Sequence, residues 1–292
     1  MKGAPQTDLA TRARALPAAC GVYLMKDAEG RVLYIGKAKS FRDRVPHHFS
    51  AQADERTRLW SRRVAEIDTL EAPSEVDALL LEARLIKELM PRYNRLAKDG
   101  KSFPYLQIRT DEPFPRVEVT RDPRPGASVW GPFVDAGALK AAAQILQKVF
   151  QYRTCDLEIR PDDPKRRFQR PFLLHWIRRC TAPCADRIPQ SRYRQDIDSF
   201  RMFVEVERGP LIDRLRERME KAAGRMHYEA AAVLRDQIRA LESLSEEGSL
   251  SDRPDGMPLP LNPQEAMEEV RVALGLARAP RVVEGIDIAT IA

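Results

Sequence analysis

Residues Gly21 to Arg44 read GVYLMKDAEGRVLYIGKAKSFRDR, and the rest of the chain is organised around them. Two short apolar runs, Gly21-Val22-Tyr23 and Tyr34-Ile35-Gly36, flank Asp27-Ala28-Glu29-Gly30, whose acidic residues and glycine suit a hairpin loop between β-rich segments. The two tyrosines therefore fall on adjacent antiparallel strands. Lys37, Lys39, Arg42 and Arg44 follow at once, so phenols able to move protons stand beside cations able to hold phosphate. The stretch is a candidate phosphodiester site.

Upstream, residues 1 to 15 lack periodicity and read as a flexible tail. Downstream, Ser40 to Val45 opens a helix that Pro46 interrupts. Glu55 to Val64 has helical spacing with a basic face, and Ile67 to Leu70 is a short strand. Ser74 is a good N-cap for a helix running to about Met90, where Pro91 ends it. Within that helix Glu82 has Ala78 and Leu79 one turn before it and Leu85 and Ile86 one turn after, so this carboxylate lies among apolar neighbours. A buried carboxylate of this kind binds a metal, accepts backbone donors or serves structure alone. Strands follow in KDGKSFPYLQI and at Arg116 to Thr120. A Pro/Gly loop spans Asp122 to Pro132, and helices cover Ala136 to Phe150 and Tyr193 to Phe203.

The chain has 292 residues, of which 32% are charged. That length accommodates two modest domains. No apolar run approaches the ~18 residues a membrane span needs, and the first residues lack a signal-type apolar core, so a cytoplasmic protein with no membrane partner is expected. Four cysteines, Cys20, Cys155, Cys180 and Cys184, in such a compartment argue for thiols or a metal site before disulfides. The formal charge is +6, and Arg153 to Arg194 alone holds 11 Lys/Arg against 5 Asp/Glu. A patch of this sort fits a phosphate backbone; a solvated basic surface is the other reading.

Leu211 to Leu244 reads as two helices broken near Gly224, with an alanine-rich seam suited to a partner or to packing within this chain. Residues 246–263 form a linker. An amphipathic helix is expected from Gln264 to Leu276 and a strand from Val282 to Ile288.

Gly21-Val22-Tyr23, Tyr34-Ile35-Gly36-Lys37-Ala38-Lys39, Arg44, the helix with Ala78-Leu79-Leu80-Leu81-Glu82, and Pro91-Arg92-Tyr93-Asn94 together resemble the GIY-YIG nuclease family, in the branch formed by the UvrC proteins of UvrABC excision repair. The resemblance implies an α+β protein. A nuclease domain with a small antiparallel sheet flanked by helices (14–98) leads into a basic, cysteine-containing DNA-binding connector (99–204) and a helical UVR hairpin (205–245). After the linker, 264–292 would begin an RNase H-like domain. The implied activity is metal-dependent incision of damaged duplex DNA on the 3′ side. Tyr34 would be the general base, with Tyr23 in its hydrogen-bond network and Lys37 nearby. Arg44 would hold the scissile phosphate, Asn94 would help fix the site, and Glu82 would bind Mg2+ or Mn2+.

Two positions depart from the family pattern. His48 stands where a tyrosine is usual and can still donate to phosphate or move protons, and Arg84 stands where asparagine is common. Members of the family can carry an iron-sulfur cluster on four cysteines. Cys155, Cys180 and Cys184 match three of them, Phe172 stands at the fourth place, and His175 is a conceivable outside ligand. Residues Met219 to Ile238 resemble the UVR motif, which implies docking to the damage-loading protein UvrB through residues such as Met219, Ala230, Leu234 and Asp236. Asp287 resembles a metal-binding aspartate of the RNase H-like domain, but without that domain's other ligands it makes no site.

Overall fold

Along β1 (Gly21–Lys26) Val22 and Leu24 enter one apolar cluster while Tyr23 and Met25 enter another. All four are buried, the period-2 pattern of a strand covered on both faces. The computed structural model describes residues 6–50, 52–94, 103–205 and 208–245. The linker, the helix and strand expected beyond it, and Asp287 lie outside the described residues.

β1 pairs antiparallel with β2 (Val32–Ala38), Tyr23 opposite Gly36 and Met25 opposite Tyr34. Its other edge takes β3 (Glu66–Glu71), giving the order β2-β1-β3. The hairpin loop closes on Asp27, whose carboxylate accepts the amides of Glu29 at 3.1 Å and Arg31 at 2.9 Å, with Gly30 at φ +79°. Two glycines matter for close approach. A Cβ on Gly36 would lie 2.4 Å from the Tyr23 hydroxyl, and one on Gly21 would lie 2.1 Å from the Leu70 carbonyl oxygen.

One face of this sheet is covered by α1 (Gln6–Arg14), α2 (Phe41–Arg44), a 3-10 turn at Val45–Phe49 and α3 (Glu55–Ser61). The helix interrupted by Pro46 is thus found, but the N-terminal segment is no tail from Gln6 on. Leu9 and Ala13, one turn apart, are both fully buried, and two apolar residues are too few to show a period. The other face carries α4 (Glu75–Leu89) through Ala78 and Ile86. Ser74 caps α4 by accepting the Asp77 amide at 3.3 Å.

The opposite side of α4, Val76, Leu79 and Ala83, belongs to a second and larger core. That core is built by β4 (Tyr105–Ile108), β5 (Val117–Thr120) and β6 (Ser128–Trp130) in the order β5-β4-β6, with α5 (Ala136–Phe150). Strand β6 lies within the expected Pro/Gly loop; its three residues are too short for alternation to register. The short α6 (Leu173–Trp176) and the long α7 (Gln190–Glu205) follow. The hairpin is α8 (Arg208–Gly224) and α9 (Tyr228–Glu242). Its seam residues Leu211, Leu215, Leu234, Ile238 and Leu241 enter the large core.

Two cations of the basic segment build the fold. Arg153, 2% exposed, donates to the carbonyls of Phe114 at 2.8 Å and Leu157 at 2.7 Å and pairs with Glu112. Buried Arg166 donates to the Pro183 carbonyl at 2.8 Å. A third arginine, Arg208 at the start of α8, donates to Ser74 Oγ at 2.9 Å and pairs with Asp77, tying the hairpin to the cap of α4. Among the described residues no helix is long and apolar enough to cross a membrane.

Gly21→Ala tests the strand packing. Its Cβ meets backbone that cannot rotate away, so a loss of about 2 to 3 kcal/mol in denaturant unfolding is expected; wild-type stability would contradict the contact.

Candidate active site

Strand β2 and helix α4 bring together residues more than forty positions apart. Tyr34, Lys37, Arg44 and Glu82, with the edge of Tyr23, line one open cleft of about 580 Å³. Glu82 is 7% exposed, and its Oε1 accepts the Lys37 backbone amide at 3.0 Å. Burial, opposed by the Lys37 and Arg44 charges, pushes this carboxyl up to about 7. Its other oxygen has no hydrogen-bond partner among the described residues. One carboxylate oxygen facing an open cleft suits an ion such as Mg2+ that keeps most of its waters. No cluster of three or more ligating side chains with metal-holding geometry occurs among the described residues.

The aromatic side of the cleft is a stack. Tyr34 lies parallel to Trp60 with centroids 4.7 Å apart, and His48 sits 5.2 Å from the same Trp60. Tyr23 Oη and His48 Nε2 share a hydrogen bond of 2.7 Å. Burial raises the Tyr23 phenol well above its ordinary value. The same burial, reinforced by the Arg44 and His47 charges, lowers His48 to about 4. At neutral pH this pair is therefore an uncharged phenol against an uncharged imidazole.

His48 stands behind Tyr23 instead of on the cleft wall. Asn94 is also away from the cleft: its Oδ1 accepts the Ile35 amide and its Nδ2 donates to the Ile35 carbonyl, each at 2.7 Å. It replaces a strand partner on the outer edge of β2 and so holds Tyr34 and Gly36 on either side of the bonded residue. Arg84 is exposed and lines a separate cavity with Asp77 and Arg208.

Three contributors were not expected. Trp60 carries no polar signal beyond helical spacing, His47 lines the cleft beside Arg44, and Asp135 reaches it from the second core. Only a cap preceding the helix at Ala136 was there to be read for Asp135.

Cys155, Cys180 and Cys184 line one cavity of about 340 Å³ with Phe172 and His175. Burial raises Cys180 to about 11 and Cys184 also upward, with the neighbouring Cys155 adding to both shifts. The donors do not fit a four-cysteine cluster. Phe172 offers no ligand, the His175 Nδ1 is engaged with the Cys180 carbonyl at 3.2 Å, and Cys20 lies in the first domain beside β1. In the hairpin, Met219 is partly buried against the core and Leu234 is 2% exposed, so Leu234 is a seam residue and not a free docking surface. Ala230 is half-buried and Asp236 exposed, while Met226, Tyr228 and Val233 turn outward.

A paired-tyrosine hairpin facing a buried glutamate on a crossing helix is the plan of a GIY-YIG nuclease domain. The UvrC-like GIY-YIG domain matches residues 19–95, the UvrC/Cho excinuclease middle domain residues 103–203, and the UvrB/uvrC motif residues 211–244. The chain belongs to the UvrC family of GIY-YIG proteins. It is 42% identical to UvrABC system protein C of Moorella thermoacetica over 84% of its own length, and 42% identical to that of Methylobacillus flagellatus over 81%. It spans 39% of the length of each. The N-terminal endonuclease domain of UvrC from Thermotoga maritima, a structure with magnesium bound, is 32% identical, covers 30% of this chain and 96% of its own, and has a TM-score of 0.28.

His48 offers a direct check of the ring packing behind Tyr23. Its ring protons in NMR are expected to titrate near pH 4, so the stability it contributes is whole above about pH 6.5 and is lost as pH falls toward 4. A midpoint near 6.5 would contradict its burial.

Proposed function

We propose that the chain is a divalent-metal-dependent DNA endonuclease of nucleotide excision repair, making the 3′ incision in damaged duplex presented by a UvrB-like partner. The observation that carries this reading is the meeting of Tyr34, Arg44 and Glu82 in one open cleft. Tyr34, its ring fixed against Trp60, takes the proton of the attacking water. Arg44 holds the scissile phosphate and the charge that develops on it. Lys37 orients Glu82 through its amide, and Tyr23 with His48 backs the Tyr34 ring through tilted ring contacts. Glu82 would hold the Mg2+ or Mn2+ ion, which when bound supplies Lewis-acid stabilisation at the phosphoryl and leaving oxygens. Because a carboxylate ligand must be ionised and Glu82 is pushed up to about 7, cation affinity rises as pH increases through that value.

Exposed Arg160, Lys165, Arg170, Arg178 and Arg187 supply cations for the DNA backbone beyond the cleft. The outward residues Met226, Tyr228 and Val233 of the hairpin supply an apolar surface for the UvrB-like partner.

The test is nicking of a lesion-bearing duplex with a UvrB-like partner and Mg2+. Glu82→Gln is expected to abolish nicking and Tyr34→Phe to lower it by about a hundredfold or more, with DNA binding retained in both. DNA and UvrB binding without nicking by the wild-type chain would favour the alternative, a non-catalytic adaptor.

A further inference from the structure

Asp135 belongs to the middle domain, yet it lines the same cleft as Glu82. Its two carboxylate oxygens have separate tasks. Oδ1 accepts the Ala138 amide at 2.9 Å and caps α5, while Oδ2 faces the Lys37 ammonium at 3.3 Å. Lys37 is therefore joined to two carboxylates of the cleft, by its backbone amide to Glu82 and by its side chain to Asp135. Lys37, Arg44 and Asp135 all act on the Glu82 carboxyl. Without Asp135 the glutamate would face two cations and no compensating anion among these three. Lys39, Asp43 and Glu75 complete the charged lining.

Resting on the nuclease reading above, we propose that Asp135 is a positioning residue for the divalent cation: it holds the Lys37 ammonium and offsets its charge, so that the ion can approach Glu82 without meeting an unbalanced cation. Capping alone is the competing role, and the two separate cleanly. Asparagine and serine cap helices about as well as aspartate but carry no charge. The geometry also means that the cleft is completed from two cores, one supplying Glu82, Lys37 and Arg44 and the other supplying Asp135.

The experiment is Mn2+ binding to the full chain without DNA, followed by the EPR signal of free Mn2+, in wild type, Asp135→Asn, Asp135→Ser and Glu82→Gln. Glu82→Gln is expected to remove the cleft site. Both Asp135 variants are expected to weaken Mn2+ binding by at least about threefold, a modest effect for one partly screened charge, with unchanged thermal midpoints. In the nicking assay the half-saturating Mg2+ concentration should rise by the same factor while the rate at saturating Mg2+ holds. Asn and Ser variants that bind Mn2+ as tightly as wild type overturn the inference. Weakened Mn2+ binding in a protein that never nicks DNA upholds Asp135 and overturns the nuclease reading alone. Mn2+ binding that survives Glu82→Gln overturns both.

Discussion

Glu82 is a carboxylate withdrawn from water and given one backbone donor, the Lys37 amide. Burying such a group is costly unless something compensates for it, and the surrounding architecture follows from that need. Helix α4 must lie close enough to β2 for the bond to form, which requires Ala78 and Ile86 to seat on the sheet. Strand β2 must be held at its free edge, which Asn94 does by pairing with both polar groups of Ile35. Tyr23 must then find room across the hairpin, and it does so over Gly36, where any Cβ would collide. The chemical residues are thus positioned by main-chain pairing and by small residues more than by one another.

Charge in the cleft is balanced instead of uniformly basic. Arg44 and Lys37 share the cleft with Glu82 and Asp135, which temper their charge. Tyr23 and the His48 behind it are uncharged at neutral pH, the phenol raised and the imidazole lowered by the same burial. A cleft of this composition sets cations, carboxylates and neutral rings side by side, the mixture that pushes titratable groups away from their ordinary values.

Much of this was legible because it is local. The hairpin loop, the apolar runs that flank it and the apolar neighbours of Glu82 each lie within a few residues, so turn residues and local spacing revealed them. The α1 segment failed to register because among its described side chains only Leu9 and Ala13 are buried, and β6 because three residues give no pattern. Asp135, Trp60 and Asn94 could be placed along the chain, but that Asp135 reaches the cleft, Trp60 the Tyr34 ring and Asn94 the edge of β2 depends on how separate elements pack, which no local window contains. The basic segment misled in part for the opposite reason. A charge count treats Arg153 and Arg166 as surface, whereas backbone carbonyls and Glu112 hold them inside. Leu234 was likewise readable as apolar, but not as turned inward.

The Arg208 contact has a temporal side. It joins the cap of α4 to a residue 131 positions later, and at ribosomal speeds of roughly 5–20 residues per second that interval takes on the order of ten seconds. During that time α4 exists without its final anchor, and its Val76, Leu79 and Ala83 face waits for the second core to be synthesised. The helix carrying the buried glutamate is consequently finished late, together with the hairpin, although its own residues emerge early.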